Sequence, residues 1–133
     1  MDPSEFLEGG TVSVAAETYA VCRTTGEPPP AFATVRDGSE TTVVVEAGAV
    51  DSLDVAAVEP GWRRLTFEME LPFELVGFLA AVATALADAD VSVFVCSSFS
   101  TDHVLVPEAD LDTAVSQLEG LGCQVEEREP EPS

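Results

Sequence analysis

The order of apolar patterns after residue 61 is the feature that most constrains what this chain can fold into. Trp62–Glu70 alternates apolar and polar side chains, which is typical of a half-buried strand. Glu74–Ala89 instead carries apolar residues at the i, i+3, i+4, i+7 spacing of one helix face. Val91–Cys96 is a continuous apolar and β-branched run, broken only by one serine, and it predicts a strand buried on both faces.

The same sequence of patterns continues towards the C-terminus. Asp102–Val106 predicts a strand that Pro107 ends, and Asp110–Leu121 carries a second helical stripe followed by a glycine stop. Cys123–Glu127 predicts a last short strand. The resulting order, βαββαβ, is that of the ferredoxin-like α+β unit, a four-stranded antiparallel sheet with two helices on one face.

The first half of the chain is rich in strand patterns and has no long helical period. Thr11–Val14 and Thr18–Arg23 predict two short strands. Phe32–Arg36 and Thr41–Val45, separated by an Asp-Gly turn, predict a hairpin. This half could be a degenerate copy of the βαββαβ unit, although repeat matching does not show one.

Composition shifts and turn residues suggest where the chain divides. Residues 1–10 are expected to be an N-terminal extension, 11–60 a first unit and 61–128 a second, with Pro60-Gly61 as the break. The Pro/Glu-rich tail, 129–133, is expected to be disordered.

The charge balance excludes two classes of partner. Five arginines, with no lysine, face 25 acidic residues, for a net charge of −20. Such a surface repels nucleic-acid backbones and anionic membranes. High ionic strength would relieve the self-repulsion, since the screening length falls to about 3 Å at 1 M salt. The composition therefore predicts a protein from a halophile; an acidic protein with a basic partner is the alternative.

Compartment signals agree with a cytoplasmic protein. Met1–Gly10 lacks the basic region of a secretory signal, and the longest apolar stretch, Val76–Ala87, is shorter than the roughly 20 residues of a membrane span. Cys22, Cys96 and Cys123 are odd in number and contain no CxxC pair, which predicts reduced thiols in the core.

No pattern of catalytic residues is present in the sequence. The single histidine, His103, follows Asp102 within a predicted strand, where neighbouring side chains point to opposite faces. That placement argues against a Ser-His-Asp triad. The sequence has no P-loop, GxGxxG or HExxH motif, so we expect neither an enzyme nor a metal or cofactor site.

Two segments have the chemistry of a binding site. At the strand-to-helix junction, Leu71–Ala80, free backbone N–H groups and the helix dipole can accept a carboxylate, and Gly77 permits close approach. In the hydroxyl-rich segment Ser97–Val106, Asp102 can pair with a cation. The alternatives are that Gly77 only eases packing and that Asp102 only caps a β-turn.

These two segments carry a family resemblance. The string PFELVGFLAAVATALADADVSVFVCSSFSTDHVLV resembles the small prokaryotic ACT-domain proteins related to the CASTOR cytosolic arginine sensors. Matching positions are Phe73, Gly77, Val91-Ser92-Val93, Ser97, Ser98, Phe99, Thr101, Asp102, Leu105 and Val106. The likeness extends more loosely over about residues 10–126. The departures are Ser98 for the usual Thr, Thr42 for Ser and His103 for Tyr.

The resemblance implies two ACT units in tandem, the first degenerate, and a sensor of small amino acids. A ligand would lie between two ACT units, with its α-carboxylate and amino group on backbone near Thr42-Val43 and Gly77. Asp102 would hold a cationic end beside Ser98 and Phe99, and Thr101 belongs to the same motif. The expected protein is a non-enzymatic, amino-acid-binding homodimer; the alternative is an ACT-fold oligomerisation partner that binds no ligand.

Overall fold

The computed structural model describes residues 2–129, and these form two compact units. The larger unit combines the chain before Glu17 with the chain after Trp62, and the smaller unit is Glu17–Trp62. Two long strands, β1 (Thr11–Thr24) and β4 (Val55–Phe67), each contribute residues to both units.

The remaining elements are short. The helices are α1 (Ser4–Leu7), α2 (Phe78–Asp88) and α3 (Leu111–Gly120). The remaining strands are β2 (Ala33–Arg36), β3 (Thr41–Glu46), β5 (Phe94–Ser97), β6 (Asp102–Pro107) and β7 (Gln124–Glu127). Two 3₁₀ segments, Ala47–Ser52 and Glu108–Asp110, follow β3 and β6.

In the larger unit the strands lie in the order β7-β1-β4-β6-β5. β5 and β6 form an antiparallel hairpin, and β7 runs parallel to the start of β1. From β4 onwards the chain follows the predicted order β4-α2-β5-β6-α3-β7. The first residues of β1 are an addition to that pattern, because they lie between β7 and β4.

One hydrophobic core joins the helices of this unit to its strands. Phe78, Val82 and Leu86 of α2 are buried together with Leu111, Ala114 and Leu118 of α3 and with strand residues that include Leu65 and Phe67. The ring of Phe67 at the end of β4 meets that of Phe78 edge-on, at 5.2 Å between centroids. This contact fixes the first residue of α2 against the sheet.

The smaller unit has the strand order β2-β3-β1-β4. The predicted β2–β3 hairpin is present, with Ala33 opposite Val44 and Arg36 opposite Thr41. Its turn is capped by Asp37, whose Oδ1 accepts the N–H groups of Ser39 and Glu40, both at 2.9 Å. All of Glu17–Trp62 is described, and it contains one 3₁₀ segment but no α-helix.

Two predicted element boundaries are wrong. The helix predicted from Glu74 begins at Phe78, because Gly77 has a left-handed backbone (φ +86°) that interrupts the periodic pattern. The buried strand predicted from Val91 begins at Phe94 and alternates between half-buried and exposed residues. Its alternate residues are exposed, so one of its faces is not covered, and β5 also lies at the edge of the sheet.

The N-terminal half differs from prediction in its strand lengths. The two short strands predicted before residue 24 form one strand of 14 residues. Pro60 and Gly61 do not break the chain but lie within β4. Pro60 is exposed at the surface of the strand.

The division of the chain also differs from the predicted domain boundaries. Residues before Glu17, predicted to open the first unit, pack with the chain after Trp62. A physical reason is the pairing of Thr11 and Val14 with Gln124 and Glu127. Most of the predicted tail, residues 130–133, lies outside the described residues. Over the described chain, no helix combines the length and apolarity that crossing a membrane requires.

Candidate functional site

A cleft opens in the larger unit between the β4–α2 connection and the β5–β6 turn. Its volume is about 200 Å³. One wall is the connection, with Leu71, Pro72, Phe73, Leu75 and the first helical residue, Phe78. The other wall is the turn, Ser97–Asp102.

Backbone contacts hold these two walls in place. The N–H of Leu71 donates to the carbonyl of Ser100 at 2.7 Å. The hydroxyl of Thr101 donates to the carbonyl of Phe67, at the end of β4. Both segments that the sequence analysis singled out therefore meet at one site, which fixes the shape of the cleft without a ligand.

The start of α2 gives this wall a positive end. Gly77 is the N-cap and offers no side-chain cap to the first turn. Uncapped N–H groups and the helix dipole favour an anion there. A Cβ at residue 77 would lie 3.5 Å from Pro3, an ordinary contact, so the glycine is needed for its backbone conformation rather than for space.

Asp102 supplies a carboxylate to the opposite wall. It lies across from Ser97 in the last pair of the β5–β6 ladder, and its Oδ1 accepts the Ser97 hydroxyl at 2.6 Å. This bond uses one of about four acceptor positions on a carboxylate. Because the bond is to a side chain across the hairpin, it differs from the backbone cap that the alternative interpretation of Asp102 requires.

The hydroxyls of the turn are already engaged. Ser98 closes the turn twice, through its N–H (2.9 Å) and its hydroxyl (3.2 Å), both donated to the carbonyl of Thr101. The Thr101 hydroxyl is bonded to Phe67. In this state Ser98 and Thr101 shape the cleft rather than offer free donors to it.

An aromatic pair stands at the mouth of the cleft. Phe73 and Phe99 meet edge-on at 4.7 Å between centroids. Both rings are largely exposed, at 73% and 80%. Exposed aromatic faces beside a carboxylate suit a ligand that is part apolar and part cationic.

His103 belongs to a hydrogen-bond network that the sequence analysis missed. Its Nδ1 lies 2.9 Å from the Thr66 hydroxyl, which also accepts a bond from Arg64 at 2.7 Å. Its Nε2 lies 3.2 Å from the Ser98 hydroxyl. Burial, and then the nearby Arg64 charge, lower the pKa of His103 below its ordinary value. No sequence signal links residues 66 and 103; only the fold brings them together.

Thr42 and Val43 lie in the smaller unit. Both belong to β3, whose residues 41–44 pair with β2 on one side and with β1 on the other. The Val43 side chain is fully buried, whereas Thr42 is half-buried. The backbone of Thr42 and Val43, which was predicted to contact a ligand, therefore has a neighbouring strand on each side.

The smaller unit also has a cavity of its own. It measures about 270 Å³ and is lined mainly by Tyr19, Pro30, Phe32 and Val45, with Glu46 and small residues. It has one carboxylate, Glu46, and that residue is itself the N-cap of the 3₁₀ segment Ala47–Ser52. The cavity therefore does not place a carboxylate and an α-helix start on opposite walls, as the cleft of the larger unit does.

Possible metal ligands and thiols are the remaining reactive side chains in the described chain. Between residues 2 and 129, no three histidine, cysteine or carboxylate side chains converge as metal ligands would. Burial raises the pKa of the thiols of Cys22, Cys96 and Cys123 above the ordinary value, which keeps them protonated and weakly nucleophilic.

Comparison with known proteins finds a similarity to the ACT domain in part of the chain. Residues 57–120 match the family model of the ACT domain. Over 66 residues, 46% of the chain, the sequence is 39% identical to the cytosolic arginine sensor for mTORC1 subunit 1 of Bos taurus. The aligned region spans only 20% of that relative's length.

Solved structures extend the likeness to nearly the whole chain. Protein Atu0741 of Agrobacterium tumefaciens superposes with a TM-score of 0.76 at 23% identity, covering 94% of this chain and 98% of that one. The regulatory subunit of aspartate kinase from Thermus thermophilus gives 0.62 at 8% identity, covering 86% and 98%. At these identities the likeness is one of fold. Residues 57–120 are thus similar to the ACT domain, and the chain folds as a ferredoxin-like α+β unit with added strands.

Proposed function

We propose that this protein is a non-enzymatic regulatory protein that binds a small amino acid with a cationic side chain. One observation carries the proposal: the Asp102 carboxylate and the start of α2 lie on the two walls of one cleft. A zwitterion with a cationic end needs both an anion site and a cation site. The arginine sensor named among the relatives supports the same class of ligand.

The size and chemistry of the cleft support a small ligand. Its volume of about 200 Å³ is below the roughly 300–1,000 Å³ typical of pockets for drug-sized molecules. A ligand α-carboxylate would meet the uncapped first turn of α2, and its cationic group would meet Asp102. Phe73 and Phe99 would cover the aliphatic part of the side chain.

A thermal-shift panel tests this function. L-arginine, L-lysine, L-leucine and L-glutamate are each added to the protein in molar KCl. At 100 times its dissociation constant a bound ligand adds about 2.7 kcal/mol of stability. We expect the two cationic amino acids to raise the melting temperature and L-glutamate not to. Stabilisation by neither L-arginine nor L-lysine would contradict the proposal.

The predicted contributions of Thr42 and Val43 to ligand binding stay predictions. Thr42→Val removes the hydroxyl while keeping a β-branched strand residue. If Thr42 binds the ligand through its side chain, the variant will lower the affinity for L-arginine in the same assay. An unchanged affinity would remove the Thr42 side chain from the site.

A specific surface favours a second candidate, an oligomerisation role without a ligand. β5 is the last strand of the sheet order. Val93, just before it, is 36% exposed and Val95, within it, is 40% exposed. The neighbouring face of α2 exposes Ala80, Ala83 and Ala87 together with Thr84. Unpaired edges and apolar faces favour self-association. We therefore propose a homodimer in either case, to be tested by light scattering in molar salt.

The charge supports a further proposal, that the protein comes from a halophilic prokaryote and works in its cytoplasm. At −20, the chain should gain stability as added salt screens its self-repulsion. Thermal melts between low and molar KCl should show a steep rise in the unfolding midpoint. A midpoint that does not change with salt would contradict halophilic adaptation.

A further inference from the structure

The bonds around His103 fix the direction in which each proton is donated. Ser98 has one hydroxyl proton, and it goes to the carbonyl of Thr101 at 3.2 Å, because a carbonyl can only accept. We assign the Ser98 oxygen as the acceptor in its 3.2 Å contact with His103 Nε2, because its own proton is then donated to the Thr101 carbonyl. It follows that Nε2 carries the ring proton.

The other ring nitrogen completes the chain of bonds. In a neutral imidazole with a proton on Nε2, Nδ1 is an acceptor. Its partner at 2.9 Å is the Thr66 hydroxyl, which donates to it. The Thr66 oxygen in turn accepts a guanidinium N–H of Arg64 at 2.7 Å. The donors thus run in one direction, from Arg64 through Thr66, His103 and Ser98 to the carbonyl of Thr101; we call these the relay.

The relay connects β4 to the wall of the cleft. Arg64 and Thr66 lie on β4, His103 lies on β6, and Ser98 and Thr101 end the turn that carries Phe99. Thr66 is buried and His103 partly so, which holds the relay behind the cleft. The hydroxyl of Ser98 is therefore fixed from behind by an imidazole that does not itself line the cleft.

A second proton on the imidazole does not fit this arrangement. A proton on Nδ1 would end the bond that Thr66 donates to it, and the Thr66 hydroxyl would have to turn its proton away and accept from both Arg64 and Nδ1. The new positive charge would also be repelled by the Arg64 guanidinium. The acidic groups that oppose this repulsion are Asp102 on β6 and Glu68 just after β4, and each has a smaller effect than Arg64.

We propose that neutral His103 is the positioning residue of the Ser98–Thr101 turn, and that protonation of His103 weakens binding of a ligand in the cleft. The second part rests on the proposed function, whereas the first does not. His103 touches no ligand in this proposal; it acts through Ser98.

The relay is tested first without a ligand. Because His103 is the only histidine in the chain, its ring signals in an NMR titration are unambiguous. We expect the Nε2–H tautomer, a pKa below 6.5, and amide signals of Ser98–Thr101 that move with the same midpoint. His103→Gln keeps an N–H donor towards Ser98 but does not titrate, so these amide signals should stay constant over the same pH range. Amide signals that ignore the His103 titration, or move equally in the glutamine variant, would overturn the proposal.

The ligand arm uses L-arginine at about pH 7.5 and about pH 5.5. If only the neutral state is competent, the apparent affinity of the wild type should fall at the lower pH, by at most about tenfold because the pKa of His103 lies below 6.5. His103→Gln should bind equally at both. A wild-type affinity that is independent of pH would overturn the coupling. If no amino acid binds at either pH, the proposed function fails, but the ligand-free titration still decides whether the relay exists.

Discussion

Replacing Asp102 by asparagine separates its charge from its place in the fold. The asparagine Oδ1 can still accept the Ser97 hydroxyl, which lies 2.6 Å from the aspartate. The substitution removes only the negative charge on that wall of the cleft. We therefore expect the ligand-free protein to lose less than about 1 kcal/mol, the size of a single net hydrogen bond.

The expected loss of binding is larger. A charge-assisted contact between Asp102 and a cationic ligand is worth about 1.5–3 kcal/mol. Its removal should raise the dissociation constant for L-arginine by about 10- to 150-fold. Isothermal titration calorimetry in molar KCl measures this change, and melts of both proteins without ligand measure the stability.

Asp37→Asn is the matched control, because Asp37 is an aspartate with a known structural role. It caps the β2–β3 turn with two backbone bonds at 2.9 Å and lies in the other unit. These bonds lower the pKa of Asp37, so its stabilising effect is present above the ordinary value near 3.8 and is lost as the pH falls below it. At neutral pH the control should change the melting temperature only slightly, because an asparagine Oδ1 can still accept both bonds, and it should leave ligand affinity unchanged. If the Asp102 variant behaves like this control, Asp102 is a structural residue and the binding argument is refuted.

Three further substitutions test other parts of the structure. Gly77→Ala should lower the free energy of unfolding by about 1–2 kcal/mol, because an L-residue is strained at φ +86°; an unchanged denaturation midpoint would argue against the left-handed helix start. Leu86→Ala should cost about 2–5 kcal/mol, since this side chain is fully buried; a negligible loss would exclude it from the core. Val95→Glu should dissociate the proposed dimer without unfolding the protein, and light scattering that finds a dimer in both the wild type and the variant would exclude the β5 edge as its interface.

The fold of the C-terminal half was predictable because its signal is periodic. Val82 and Leu86 belong to the predicted helix stripe and are buried, and the predicted hairpin of β2 and β3 is present. Two errors arose at a glycine and a proline, where the local sequence pattern did not match the backbone conformation. The apolar pattern continues through Gly77, but the helix begins only after it. Pro60 lies within β4 and does not end the strand.

The site was predictable only where its residues are close in sequence. Ser98, Phe99, Thr101 and Asp102 share one hairpin turn, so one motif contains them all. The relay has no such signal, because Thr66 and His103 lie 37 residues apart and meet only through the pairing of strands. A lone histidine in a strand gives no indication that its partners are hydroxyls rather than a carboxylate.

Binding of amino acids to the wild-type protein is the most direct test of a regulatory binding role. The measurement is a calorimetric titration of the full chain in molar KCl with L-arginine and L-lysine, with L-glutamate as the negative control. We predict saturable binding of at least one cationic amino acid, lost in the Asp102→Asn variant, and none of L-glutamate. No saturable binding of either cationic amino acid, with a folded protein confirmed by its melt, would contradict the account and favour an oligomerisation role.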